Sequence, residues 1–503
     1  MSLDIAAPAV DNPYLDGVLA PVHSEVTAFD LPVTGTIPEH LDGRYLRNGP
    51  NPAAEVDPAV YHWFAGDAMV HGLSLRDGAA AWYRNRWVRT PAVSATLGEP
   101  RVRDLDARAG MLSVGPNTSV IEHAGQTCAL VEGGGANYRL TEELDTLGTC
   151  DFDGTLYGGY TAHPHRDPRT GELHAVSYSL NRGRFVQYSV IGTDGRARRT
   201  VDIPVTGSPI MHDFSLTEKY VVVFDLPLTF DIKELVPMVV PRGLRLPARL
   251  VMQSFLGKVA LPGPVQARVN ARSGRTDTMP FSWDPSYPAR VGVLAREADG
   301  NGADAPIRWF DIDPCYVFHP LNAYTEDRDG REILTIDLVR YDKMFDRDHR
   351  GPSEGDPRLE RWEIDLTTGA VRTEVRDDRA QEFPRINETL TGSRHRYGYT
   401  LGLDGFGEGA INGSRLYKHD YDTGAITAAK TDPELVLGEM CFVPDPDGNA
   451  EDDGVLMGLG QHRGRDEGQL VILDAPTLET VATVSLPQRI PLGFHGNWCP
   501  RAR

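Results

Sequence analysis

The sequence predicts an all-β fold, and a propeller in preference to a single sandwich. Short runs of β-branched and apolar residues alternate along the whole chain with turns built on Asp, Thr and Gly. The chain also runs to 503 residues. That is long for a sandwich, whereas large all-β folds of this length form as one unit.

The elements follow in order. Residues 1–45 read as an extended arm leading into a turn-rich stretch, IPEHLDGRYLRNGPNP, punctuated by Gly49, Pro50 and Pro52. Next, YHWFAGDAMVHGLSLRDGAAAWYRNRWVRT reads as two strands about the turn Arg76-Asp77-Gly78. Hairpin patterns recur in RDPRTGELHAVSYSL, VIGTDGRARRTVDIPV and TEDRDGREILTIDLVRY. They continue in RWEIDLTTGAVRTEV, LYKHDYDTGAITAAK and QLVILDAPTLETVATVSLP. No exact repeat accompanies them.

One region breaks the pattern. Residues 229–262 are apolar, with prolines at 237, 241, 247 and 262. From Leu235 to Thr276 there are seven Arg or Lys and no Asp or Glu. In a chain of net charge -20, this is a basic, greasy island. It reads either as a surface that rests on lipid or admits a lipid-like substrate, or as a buried helical insertion with solvated arginines. The prolines prevent one clean amphipathic helix.

The acidic balance argues against nucleic-acid binding, which needs a basic footprint. The five cysteines, Cys128, Cys150, Cys315, Cys441 and Cys499, are scattered, with no CxxC pair. A reducing cytoplasm fits this pattern better than a disulfide framework does. The N-terminus lacks a basic region followed by an apolar core, so no signal peptide is expected. No run approaches the ~18 apolar residues of a spanning helix. A cytoplasmic protein follows, with peripheral membrane contact through the island.

Four of the 15 histidines stand in a similar setting: His163 in YTAHPH, His212 in PIMHDF, His319 in VFHPLNAY and His495 in GFHGNW. His163 and His319 precede proline, which holds a residue extended and suits a ligand at a strand end. Gly496 after His495 permits close backbone approach. Spread over more than 330 residues, they meet only if the fold closes on itself. Four neutral imidazoles would then suit Fe, Zn, Cu or Ni. Taken singly, each also reads as an ordinary surface or core histidine. His62 and His71 are the nearest competitors, and His165 is set aside because Pro164 predicts a break. A metal-bound imidazole donates its other N–H to a carboxylate or carbonyl. Glu132 in ALVEGG, Glu382 in AQEFPRIN and Glu439 in LGEMCFV look embedded in apolar strands, where a carboxylate is otherwise costly. Taken singly, each reads more readily as a structural ion pair or an edge position.

Together, RYLRNGPNP, HWFAGDAMVHG, GGYTAHPHRDPRTGEL, MHDFSLTEKYVV, CYVFHPLNAY, EFPRINETLTG, GEMCFVP and GFHGNW resemble, in order, the motifs of the carotenoid cleavage oxygenases. The match covers nearly the whole chain and is closest to the actinobacterial, especially mycobacterial, members. The resemblance implies one domain, 1–503: a seven-bladed β-propeller with a helical and loop cap over its top face. It implies Fe(2+) on the axis, held by His163, His212, His319 and His495. Glu132, Glu382 and Glu439 would brace His212, His319 and His495 respectively, and His163 would have no glutamate partner. Val131 and Phe64 would line the pocket near the iron. The implied reaction cuts a conjugated C=C bond of a carotenoid or apocarotenoid with O2, giving two carbonyl products. No separate acid or base is expected, because the metal carries the redox work.

The sequence departs from its relatives in places. In members that cleave lignin-derived stilbenes, a lysine directly precedes the first glutamate and a tyrosine lies upstream, both engaging the phenol. Here the preceding residue is Val131, and VRTPAVSATLGEP holds no tyrosine. This favours a polyene over a hydroxystilbene, which stands as the alternative substrate. FAGDAM replaces the frequent FDGDGM without touching a ligand. Retinyl-ester isomerases of the family rely on a palmitoylated membrane segment, but the island has no cysteine to acylate. A non-enzymatic propeller scaffold is the reading of a different class. It would not need four histidines and three buried glutamates in register.

Overall fold

The computed structural model describes residues 12–59, 61–102, 115–156, 159–179, 182–231, 233, 236, 240, 242–249, 280–297, 306–348, 354–403 and 415–501. They form a seven-bladed β-propeller of antiparallel sheets. In chain order, the second blade runs from Ser119–His123 to Thr146–Cys150, and the third from His165–Arg166 to Ala197–Pro204. The fourth is built on Ser215–Leu216, Tyr220–Asp225, Arg290–Ala295 and Arg308–Asp311. The fifth runs from Pro320–Arg328 to Val371–Asp377, and the sixth from Gln381–Arg385 to Ile426–Ala428.

The first and seventh blades each take strands from both chain ends. In the first, Gly496–Pro500 pairs with Gly43–Pro50, which continues through Ala68–Arg76 and Ala79–Trp87 to Thr27–Phe29. In the seventh, Val33–Gly35 closes the edge beside Thr480–Ser485. The described part of the N-terminal arm therefore contributes two short outer strands, one to each of these blades, and so locks the ring. The turn-rich reading of IPEHLDGRYLRNGPNP is corrected as well. Gly43–Pro50 is a strand buried at all eight positions. Its glycines serve close packing: a Cβ on Gly43 would lie 2.4 Å from the Cys499 carbonyl oxygen.

The predicted hairpins form. Asp77-Gly78 and Asp329-Gly330 take positive φ between their strands, as a tight two-residue turn requires. Inner strands are buried on both faces because each blade is sandwiched between two others. Gly454–His462, for example, is buried at eight of its nine positions. Apolar contacts join successive blades, such as Leu46, Val70 and Val120 between the first and second. Tyr45, Leu73, Met457 and Ile472 do the same between the first and seventh. Outer strands are polar, as in Val371–Asp377, and this protects exposed edges from pairing with other chains.

The fourth blade carries the insertion. Leu228–Phe230 pairs with Phe281–Trp283 as a separate two-stranded stem. Most of the 229–262 island, including Leu250 and Phe255, lies outside the described residues. Within the described part, Leu244 and Leu246 are 60% and 72% exposed. The described residues hold one α-helix with named bounds, Pro91–Leu97, capped by the Thr90 side chain and ended by Gly98 in the left-handed region.

Candidate metal centre

Each of the four histidines immediately precedes, or lies within three residues of, the innermost strand of a different blade. His163 leads into His165–Arg166, His212 into Ser215–Leu216, His319 into Pro320–Arg328 and His495 into Gly496–Pro500. These inner strands pack about the axis, and their entry points face one another. The histidines come from the third, fourth, fifth and first blades. The other three blades each supply one glutamate: Glu132 from the second, Glu382 from the sixth and Glu439 from the seventh.

One nitrogen from each of His163, His212, His319 and His495 lies within 4.8 Å of the others. Glu132 Oε2 sits 2.8 Å from His212 Nδ1. Glu382 Oε2 sits 2.6 Å from His319 Nδ1, and Glu439 Oε1 3.1 Å from His495 Nδ1. An ionised carboxylate only accepts, so these three rings carry their proton on Nδ1 and present the Nε2 lone pair inward. His212 and His319 then bring two Nε2 atoms within 3.1 Å. Two lone pairs at that distance repel, unless a cation lies among them. The buried Nε2 of His163 has no hydrogen-bond partner within the protein. The donor set therefore fits a metal that accepts imidazole.

The carboxylates are themselves held. Glu382 also accepts from the Tyr341 hydroxyl at 3.1 Å and from the Phe383 backbone N–H. Glu439 accepts from the Gly496 N–H at 2.8 Å, with the Arg385 guanidinium 3.5 Å away. Burial alone would raise the Glu439 carboxyl. Arg385 and His495 outweigh it and hold the pKa at about 2. Burial, reinforced by the neighbouring imidazoles, lowers His163 well below the ordinary histidine range. At His319 burial also pulls down, but the Glu382 carboxylate prevails and the pKa is raised.

Aromatic rings pack beside the imidazoles. Phe318 meets His212 edge to face at 5.0 Å between ring centres. Phe383 stacks on His319 at 5.8 Å and lies 5.6 Å from His495. Its φ of 52° is unusual for a phenylalanine, a strain found where a site over-determines the backbone. Phe64, on the short turn Trp63–Ala65, packs against Phe318 and Phe494, one ring removed from His212. Another face of the site opens on a polar cavity of about 170 Å³ along the inner strands. His163, His319 and His495 stand in its wall together with His165, Asp213, Asn322 and Arg385.

Two features differ from the sequence expectation. Only Glu382 lies within a strand; Glu132 and Glu439 occupy connections beside one. His165, set aside because of Pro164, starts the inner strand and stands 2.8 Å from Asp213, which the reading missed. The signal for it was Asp213 itself, an acid directly after a ligand candidate in an apolar run. The competitors are structural: His62 Nδ1 accepts from the Phe64 N–H, and His71 Nδ1 pairs with the Tyr83 hydroxyl. Val131 is buried next to Glu132, and its N–H donates to Asn137.

Four convergent imidazoles on a propeller axis, three of them braced by carboxylates, define a metalloprotein-type centre. The model of the retinal pigment epithelial membrane protein (RPE65) family matches residues 19–500, and the chain belongs to that family. The carotenoid cleavage oxygenase of Mycobacterium tuberculosis is 66% identical over 97% of this chain and 98% of its own. The carotenoid 9,10(9',10')-cleavage dioxygenase of Crocus sativus is 32% identical over 96% of this chain and 88% of its own. The lignostilbene dioxygenase of Pseudomonas brassicacearum shares the fold, with a TM-score of 0.76 at 24% identity over 99% of this chain and all of its own.

Proposed function

We propose that the chain is a non-haem iron(II) dioxygenase that uses O2 to cleave a conjugated double bond of a carotenoid or apocarotenoid into two carbonyl fragments. The observation that carries this reading is the convergence of His163, His212, His319 and His495 nitrogens within 4.8 Å, in a chain 66% identical to a carotenoid cleavage oxygenase. Iron(II), when bound, supplies the redox chemistry between O2 and the alkene.

The protein's own residues bind, orient and exclude. Glu132, Glu382 and Glu439 fix the rings of His212, His319 and His495 and balance the charge of a dication from one shell out. Phe318 and Phe383 present hydrocarbon beside the imidazoles, with Phe64 behind them. They give a polyene an apolar surface and keep water from it. Val131 offers no hydrogen bond to a phenol, which favours a polyene over a hydroxystilbene. All of this belongs to one propeller domain with the 229–262 island inserted. The island forms the entrance and touches membrane, which the exposed Leu244 and Leu246 in its basic stretch support. No helix among the described residues is long and apolar enough to cross a membrane.

The test is metal content of the purified protein together with product analysis using an apocarotenal and O2. About one iron per chain and two carbonyl fragments are expected. Turnover of a hydroxystilbene in place of the apocarotenal would transfer the assignment to the stilbene. No iron after anaerobic reconstitution would refute the centre. For the island, Leu244→Glu with Leu246→Glu is expected to abolish sedimentation with liposomes; unchanged binding would refute the contact.

A further inference from the structure

Three of the four imidazoles have a carboxylate directly on Nδ1, and His163 does not. Its surroundings nevertheless contain one. Asp213 follows His212 in the chain and is buried, at 6% exposure. Its two oxygens are used differently. Oδ1 accepts from His165 Nε2 at 2.8 Å and from the Phe214 backbone N–H at 2.7 Å. Oδ2 faces His163 Nδ1 at 3.9 Å. That separation is too long for a direct hydrogen bond, but an unscreened carboxylate acts electrostatically across it in a buried site. The His163 ring is therefore arranged like the others, with Nδ1 toward a carboxylate and a buried, unpartnered Nε2 toward the other three histidines.

His165 completes the arrangement. It begins the inner strand that His163 leads into, and Phe214 meets its ring edge to face at 4.8 Å. Asp213 is thus clamped from two sides by groups that do not touch the cluster centre. A buried carboxylate so restrained keeps its free oxygen aimed in one direction.

Resting on the four-imidazole reading above, we propose that Asp213, held by His165, is the positioning carboxylate of His163 and makes that ring a competent fourth ligand. The glutamates do this at hydrogen-bond distance from their own blades. Asp213 does it from the connection that carries another ligand, His212, so the third and fourth blades are coupled through it.

The experiment measures Fe(II) affinity under anaerobic chelator competition for wild type, Asp213→Asn, Asp213→Ala, His165→Asn, Asp213→Ala/His165→Asn and His163→Ala. Circular dichroism and melting temperature report folding. Asp213→Asn is nearly isosteric and keeps the proposal testable should the alanine variant fail to fold. Loss of the carboxylate should weaken Fe(II) binding by about 10–100-fold, with His165→Asn showing a smaller loss. The double variant should bind no more weakly than Asp213→Ala, because His165 acts only through Asp213. Wild-type affinity in folded Asp213→Asn, with iron lost in His163→Ala, overturns the proposal and leaves the centre standing. Iron retained at wild-type affinity in His163→Ala overturns the four-imidazole reading itself. Additive losses in the double variant overturn the role of His165.

Discussion

Replacing Glu382 by glutamine separates charge from packing at this centre. Glu382 is 4% exposed. Oε2 accepts from His319 Nδ1 at 2.6 Å and from the Phe383 N–H, and Oε1 accepts from the Tyr341 hydroxyl at 3.1 Å. A glutamine carbonyl can take the place of Oε2. Its amide then faces Tyr341, whose hydroxyl can turn from donor to acceptor. Every hydrogen bond survives and only the negative charge is lost. A bond to a charged group contributes about 1.5–3 kcal/mol and a neutral one about 0.5–1.5. The ligand set therefore loses roughly 1–2 kcal/mol, about 5- to 30-fold in metal affinity. The assay is Fe(II) retention against a graded chelator, beside the melting curve of the metal-free protein. The expected result is weaker metal binding with metal-free stability nearly unchanged. Wild-type affinity in Glu382→Gln would refute the argument that carboxylate charge tunes the imidazole. A collapse of metal-free stability would refute the claim that glutamine satisfies the same partners. Glu382→Ala is the contrast: it orphans two N–H donors, those of His319 Nδ1 and Phe383, each costing about 1–3 kcal/mol, so its metal-free melting temperature should fall sharply.

Other outcomes follow from the same geometry. The Glu132 side chain is 22% exposed, against 5% for Glu382; solvent can replace part of its role, so Glu132→Gln should weaken metal binding less than Glu382→Gln in the same titration. Gly159 packs backbone to backbone on Gly134, where a Cβ would lie 2.1 Å from the Gly134 Cα; Gly159→Ala should displace the Glu132 connection, lowering both melting temperature and iron content. Outside the four-histidine cluster, burial pushes the buried His395 down to about 4 from 6.5, against the pull of Asp337. The unfolded chain then takes up a proton below pH 6.5 and the folded chain only below about 4, so stability is full above 6.5. It declines by up to about 3 kcal/mol as pH falls to 4. Thermal scans across this window should show a shallower decline for His395→Gln.

Much of the fold was legible locally. The hairpins at Asp77-Gly78 and Asp329-Gly330 rest on residues that tolerate positive φ, a property of the individual amino acid. The four histidines were legible because His163 and His319 precede proline and because each stands at a strand entry, also a local matter. The strand Gly43–Pro50 was not. Its composition says turn, and it is a strand because Gly496–Pro500, from the other end of the chain, pairs with it. His165 stays out of the cluster because the strand begins only after Pro164; what the local pattern could not give is its partner Asp213, 48 residues away.

The sequence by itself therefore determined the all-β class, the turns, the acidic character and the identity of the candidate ligands, because each depends on residues within a few positions of one another. Only the tertiary structure decided which nitrogen of each imidazole faces inward, that Asp213 stands beside His163 and His165, and that the blades without a histidine each bring a glutamate. Those facts depend on distances between residues up to hundreds of positions apart. Ring closure sets such distances, and no local preference encodes them.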